Sequence, residues 1–157
     1  VIRGSPSERG AVLVEFALTV VLFLIFLFAL IEFSRAMFAW NTSAEATRKA
    51  ARLSSICGQG TEGVIRGKVA GFVEISGHMK LEANDNWLQI SAEPVGCDVS
   101  TCTHVKAGIN QENPLRLELM VPTLGLSFNL PSHQVVVMRE SMRSVINGAD
   151  NAICQQD

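Results

Sequence analysis

The chain has 157 residues, enough for one small domain and an anchor, with 48% hydrophobic and 18% charged residues. A formal net charge of −2, and no basic stripe beyond Arg48, Lys49 and Arg52, leave nucleic-acid binding without electrostatic support. The hydrophobic excess is gathered near the N-terminus, which excludes a uniformly soluble domain.

Residues 1–10, "VIRGSPSERG", are polar and read as an irregular leader, too short and too polar for a secretory signal. Phe16 to Ile31 then run for sixteen residues without a charge, and Ala11 to Ile31 hold one acid, Glu15, in twenty-one. At about 1.5 Å per residue this matches a bilayer core of about 30 Å. The stretch "FALTVVLFLIFLFALI" is apolar on every face, and a domain this small could not surround it. The pattern predicts a single retained membrane span over about 11–32.

The helical pattern continues past the span. Glu32 to Ser55 contain no Gly and no Pro and are rich in Ala, Arg, Lys and Glu. Phe33, Met37, Trp40, Ala44, Thr47 and Ala51 recur three or four apart and are expected to form the face that packs on the rest of the chain. Gly58 and Gly60 are stop signals, so one long helix is expected over 11–56. In "TEGVIRGKVAGFVEIS", Val64, Ile65, Val69, Phe72 and Val73 make a helical apolar face. Gly63, Gly67 and Gly71 fall four apart on another, a spacing that permits close backbone approach. Arg66 and Lys68 argue against a second span.

Strand signals follow. "WLQISAEPV" places Leu88, Ile90 and Ala92 on one side, and "LRLELMV" places Leu115, Leu117, Leu119 and Val121 on one side. "QVVVMRESM" is β-branched, and Leu124, Leu126, Phe128 and Leu130 alternate in a further possible strand. Three such strands leave an apolar face that the amphipathic half of the long helix can cover. The expected fold is α+β: a long N-terminal helix packed on a small antiparallel sheet head, residues 57–157, with a second short helix.

The cysteines Cys57, Cys97, Cys102 and Cys154 all follow the span, which points to disulfides in an oxidising compartment. Of three possible pairings, Cys97 with Cys102 encloses only "DVST", leaving Cys57 with Cys154. A zinc site from Cys97, Cys102 and His104 is the rival, but C-x4-C-x-H fits no common zinc pattern. Asp85 and Asp98 sit in turn-like contexts, and His78, His104 and His133 are scattered. Nothing resembles a nucleophile elbow, a phosphate loop or paired carboxylates, so no enzyme activity, metal or cofactor is expected.

Gly10 is followed by Ala11, Val12, Leu13, Val14, Glu15 and Phe16, an order that resembles the leader-peptidase site of type IV prepilins. The segment "RGAVLVEFALTVVLFLIFLFALIEFSRAMFAWNTSAEATRKAARL" is similar to the N-terminal region of the TadE-like family. The resemblance rests on Arg9-Gly10, Glu15-Phe16-Ala17, Glu32-Phe33, Arg35, Asn41 and "AEATRKAAR", and more weakly on "VVVMRES". TadG-like proteins share this region, but so short a head fits the former. The resemblance implies a minor pilin or pseudopilin of a tight-adherence (Tad, Flp) type IV pilus, acting in pilus assembly, surface adhesion and biofilm formation. A prepilin peptidase would cleave after Gly10, and Ala11 would acquire a free α-amine. Glu15 could pair with that amine on a neighbouring, staggered subunit, which favours both charged forms. Implied partners are other pilin and pseudopilin subunits and the inner-membrane assembly platform.

The resemblance also implies a bacterial inner-membrane location, a cytoplasmic N-terminus and a periplasmic head, with incorporation into an extracellular pilus as a further option. A count of basic residues points the other way: Arg3 and Arg9 precede the span, and Arg35, Arg48, Lys49 and Arg52 follow it. The cysteines and the resemblance outweigh that count. The alternative is an unprocessed, membrane-anchored envelope binding protein with a periplasmic domain.

Overall fold

The computed structural model describes residues 6–74, 86–118 and 127–155. Two compact units meet in sequence at Arg35 and Ala36. The first helix, α1 (Pro6–Ile56), supplies the described part of the first unit and continues into the second. Proline suits a first helical turn, where its missing N–H has no intrahelical acceptor and its φ is already helical. Residues 6–10 are therefore helical, which corrects the expectation of an irregular leader over that stretch.

In the second unit α1 is followed by α2 (Glu62–Glu74), β1 (Leu88–Glu93), β2 (His104–Ile109), β3 (Arg116–Glu118), β4 (Ser127–Asn129), β5 (Gln134–Met138), β6 (Val145–Ile146) and β7 (Ala149–Asp150). The main sheet is antiparallel in the order β1-β2-β5. Leu88 pairs with Ile109, Ile90 with Ala107 and Ala92 with Val105, while Val105 and Ala107 also face Val137 and Val135. The expected inward set of β1, Leu88, Ile90 and Ala92, is thus the sheet's core face.

Two expectations about the sheet are corrected. The central strand is β2, which had not been read as a strand because Lys106 and Gly108 dilute its alternation of Val105, Ala107 and Ile109. The strand at Leu115 lies outside the main sheet: β3 pairs with β4, Leu117 opposite Phe128. Leu115, Leu117 and Leu130 are buried, but Phe128 is exposed. Leu119, Val121, Leu124 and Leu126 lie outside the described residues, as do His78 and Asp85. A further hairpin, β6–β7, closes on Asn147 and Gly148, both with positive φ (52° and 79°). That is the geometry Asn-Gly favours in two-residue hairpin loops.

The packing face of α1 follows the expected stripe at Thr47 and Ala51 and departs from it at Met37 and Trp40. Ala39, Ala46, Ala50 and Ala51 are buried in one cluster with Ile65, Val69 and Val73 of α2 and with the inner face of the main sheet. Ser43, Thr47 and Ser55 are fully buried beside them. Met37 and Trp40, expected inward, are exposed at 38% and 44%. Small side chains let backbones approach closely and lose little rotamer freedom on burial. The hydroxyls add no unmet polar group: Thr42 donates to the Phe38 carbonyl (2.9 Å), Thr47 to that of Ala44 (2.8 Å) and Ser55 to that of Arg52 (2.8 Å). On α2, Ile65, Val69 and Val73 are buried as the periodicity requires. A Cβ at Gly63 or Gly71 would meet nothing within 4 Å, so these glycines mark no close packing within the domain. Lys49 of α1 lies over the Phe72 ring of α2, 4.3 Å from its centre, an exposed cation–π contact.

The end of α1 is held by distant chain. The Ser55 carbonyl accepts from the Glu140 and Met142 amides (3.1 and 3.2 Å), and the Ile56 carbonyl accepts from the Arg143 amide (2.8 Å) and the Ser141 hydroxyl (3.0 Å). Carbonyls that a helix end leaves without intrahelical donors are thereby satisfied. A Cβ at Gly58 would come within 3.1 Å of the Met142 carbonyl, so a larger residue here would press on that backbone.

Candidate membrane-anchoring and assembly segment

Along the first part of α1 no described residue covers the apolar side chains. Leu13, Phe16, Phe23, Ile25, Phe26 and Phe28 are each more than half exposed. Such a surface is far larger than the apolar patches of soluble monomers and calls for a non-aqueous surrounding. Among the described residues this is the one helix long and apolar enough to cross a membrane. Its Thr19 and Ser34 hydroxyls are settled internally: Thr19 donates to the Glu15 carbonyl (2.9 Å) and Ser34 to the Leu30 carbonyl (2.8 Å). An intrahelical partner of this kind is what a hydroxyl needs in lipid.

The structure places Gly10, Ala11, Glu15 and Phe16 in one helical stretch, all exposed. Ala11 and Glu15 are one turn apart and share a face. Among the described residues the Glu15 carboxylate has no ion-pair partner. Gly10 is not required by packing, since an added Cβ would meet nothing within 4 Å. The charges at the other end of the span behave differently. Arg35 Nη1 donates to both carboxylate oxygens of Glu32 (3.1 and 3.0 Å), so this pair neutralises itself. Arg48 is likewise paired with Glu45 at 3.0 Å.

In the second unit all four cysteines are bridged. Cys57 is joined to Cys154 and Cys97 to Cys102, with Cα separations of 5.6 and 5.0 Å. Thiolates are therefore not available for the zinc reading at Cys97, Cys102 and His104. Gln59 links the first bridge to the second, donating to the Cys97 carbonyl at 2.9 Å. Between Cys97 and Cys102, one oxygen of Asp98 accepts from the Ser100 and Thr101 amides (2.7 and 2.8 Å) and from both hydroxyls. The Ser100 hydroxyl, followed by the amides and Thr101, holds the Asp98 carboxyl well below the usual carboxylate range.

Sequence reasoning did not find the polar cleft of about 670 Å³ on the outer face of the main sheet, lined by Arg66, Gln89, Ser91, Glu93, Lys106 and His133 among others. Gln89, Ser91 and Glu93 are the outward alternates of β1, which was read only for its inward face, while Lys106 lies on the strand that was not read. Lys106 pairs with Glu93 at 2.9 Å, and this hydrogen bond and charge pull the Glu93 carboxyl down. The two charges satisfy each other. Among the described residues no group of His, Cys, Asp and Glu is placed to hold a metal ion.

An exposed apolar helix long enough to cross a membrane continues here into a small disulfide-bridged α+β domain. Residues 10–52 match the family model described as TadE-like protein, so this chain carries a TadE-like N-terminal segment. No curated protein matches the chain, and neither does any solved structure.

Proposed function

We propose that this protein is a minor pilin or pseudopilin of a tight-adherence pilus, cleaved after Gly10 by a prepilin peptidase and built into, or onto the base of, a filament. The observation that carries the reading is the exposed Glu15 carboxylate, without an ion-pair partner among the described residues, one turn from Ala11. An unpaired carboxylate in the hydrocarbon costs about 2.5–3.5 kcal/mol at the centre of a span and less near its edge. A second subunit whose Ala11 amine reaches Glu15 removes that cost, so pairing selects subunits already docked. Gly10 fits the same account. Glycine inside a helix is about 1 kcal/mol worse than alanine, and no packing in this fold asks for it. A protease that needs open backbone would.

The compartment follows from the same reading. The N-terminus is cytoplasmic and the bridged domain periplasmic, where disulfides persist. Partners are the prepilin peptidase, other pilin and pseudopilin subunits and the inner-membrane platform, and the filament would serve adhesion and biofilm formation. The deciding experiment is Glu15→Gln in a piliated cell. Normal cleavage, an intact domain and lost incorporation support the proposal, whereas wild-type piliation removes the pairing argument.

One observation favours a second reading, an unprocessed membrane-anchored envelope binding protein. α1 runs from Pro6 through Gly10 without a break. A protease would have to unwind that turn before cutting.

A further inference from the structure

Just beyond the span α1 carries large apolar side chains that are exposed. Phe33, Met37 and Trp40 recur four and three apart along α1, hence on one face. Phe33 and Phe38 are 65% and 58% exposed, and Met37 and Trp40 are exposed as well. The domain needs none of them, because it packs on α1 through Ala39, Ala46, Ala50 and Ala51. The only charges between the apolar run and Trp40 are Glu32 and Arg35, which form their own pair. Single charged residues begin again at Glu45.

We infer that the lipid-contacting surface of this protein extends past the Glu32–Arg35 pair to Trp40, so that the bilayer sits further along α1 than the apolar run alone indicates. This rests on the membrane-anchored reading and adds the register. The occupant of the aromatic face is lipid, because the face is continuous along one helix with the span itself. A hydrocarbon core of about 30 Å takes about 20 residues of helix, which places it over 16–35. Glu15 then lies at one edge and the neutralised pair in the last turn at the other. Trp40, five residues further or about 7–8 Å, falls in the headgroup layer, where tryptophan's apolar ring and N–H donor are both accommodated.

The test uses the full chain in vesicles of phosphatidylethanolamine and phosphatidylglycerol, with Trp40→Phe as the reference. Trp87 is buried and contributes the same background to both, so their difference reports Trp40. Lipids labelled with a nitroxide near the headgroup should remove most of the Trp40 emission, lipids labelled near the chain terminus much less, and aqueous iodide little. Trp40 quenched freely by iodide and by neither lipid would overturn the inference. So would protection that appears only as protein concentration rises, since a second copy would then cover the face. Extraction at alkaline pH separates the two claims. A chain that leaves the vesicles refutes the anchor itself, while a chain that stays, with Trp40 in water, refutes only the register.

Discussion

Cys57 and Cys154 stand 97 residues apart in sequence, yet their Cα atoms are 5.6 Å apart and their sulfurs are bonded. The bridge ties the end of α1 to the short 3-10 turn at Ala152–Cys154, beside the carbonyls of Ser55 and Ile56 that the 140–143 segment caps. Covalent and hydrogen-bonded closure therefore act at the same helix end.

Removing this bridge should destabilise the domain more than removing the local one. In the chain-entropy model a loop of 97 residues contributes nearly 5 kcal/mol and one of 5 residues about 2 kcal/mol, both as upper figures. Cys57→Ser/Cys154→Ser should lower the urea midpoint by more than Cys97→Ser/Cys102→Ser. Equal shifts would show that the long bridge closes nothing the fold does not already hold.

The small-residue face of α1 gives a contrast between neighbouring positions. Ala50 is fully buried against α2 and the sheet, so Ala50→Leu should cost about 1–3 kcal/mol through overpacking. Trp40→Ala should change the stability of the domain by less than about 0.5 kcal/mol, because the ring touches no core. Denaturation of the two variants in detergent checks both. A destabilising Trp40→Ala would mean that the domain uses this face after all.

The Asp98 carboxyl is held ionised by four donors within its own loop, so it should titrate below ordinary carboxylates. Its folded pKa is depressed. The stability it contributes is thus fully present above the unfolded value, about 3.9, and fades as pH falls towards the folded one. Carbon-detected NMR should show the Asp98 carboxyl still charged at a pH where a free aspartate, of pKa about 3.9, has taken up its proton. Simultaneous titration would contradict the hydrogen-bonded loop.

How much of this was legible in the sequence varies by element. The apolar run, the glycines after Cys57 and the alternation of Leu88, Ile90 and Ala92 are local patterns, and local patterns survive folding. β2 was not legible, since a central strand buried on one face by Val105, Ala107 and Ile109 can carry Lys106 and Gly108 on the other. The partner of β3 is a tertiary choice that alternation cannot encode. The Asn147-Gly148 hairpin was present as a signal and was overlooked. The α1 face was misjudged because large aromatic residues were expected to turn inward; here Ala, Ser and Thr are buried, and Met37 and Trp40 stay outside. For the candidate site, Gly10, Ala11, Glu15 and Phe16 could be named from their order alone. That Gly10 is helical and unpacked, and that Glu32 and Arg35 cancel, required coordinates.

Gly10 offers a clean separation of processing from folding. The space around it is open, so Gly10→Val should leave the thermal midpoint of the domain unchanged while blocking maturation. Immunoblots of cells expressing the variant with a prepilin peptidase should show the longer form alone. A variant that matures normally would show that the protease does not read this glycine.

The central claim, that this is a processed pilus subunit, is tested most directly by the mass of the chain recovered from cells that contain a prepilin peptidase. The account predicts a mature N-terminus at Ala11, five residues including itself from Glu15. A chain that keeps the residues before Ala11, or begins at any other position, would contradict it.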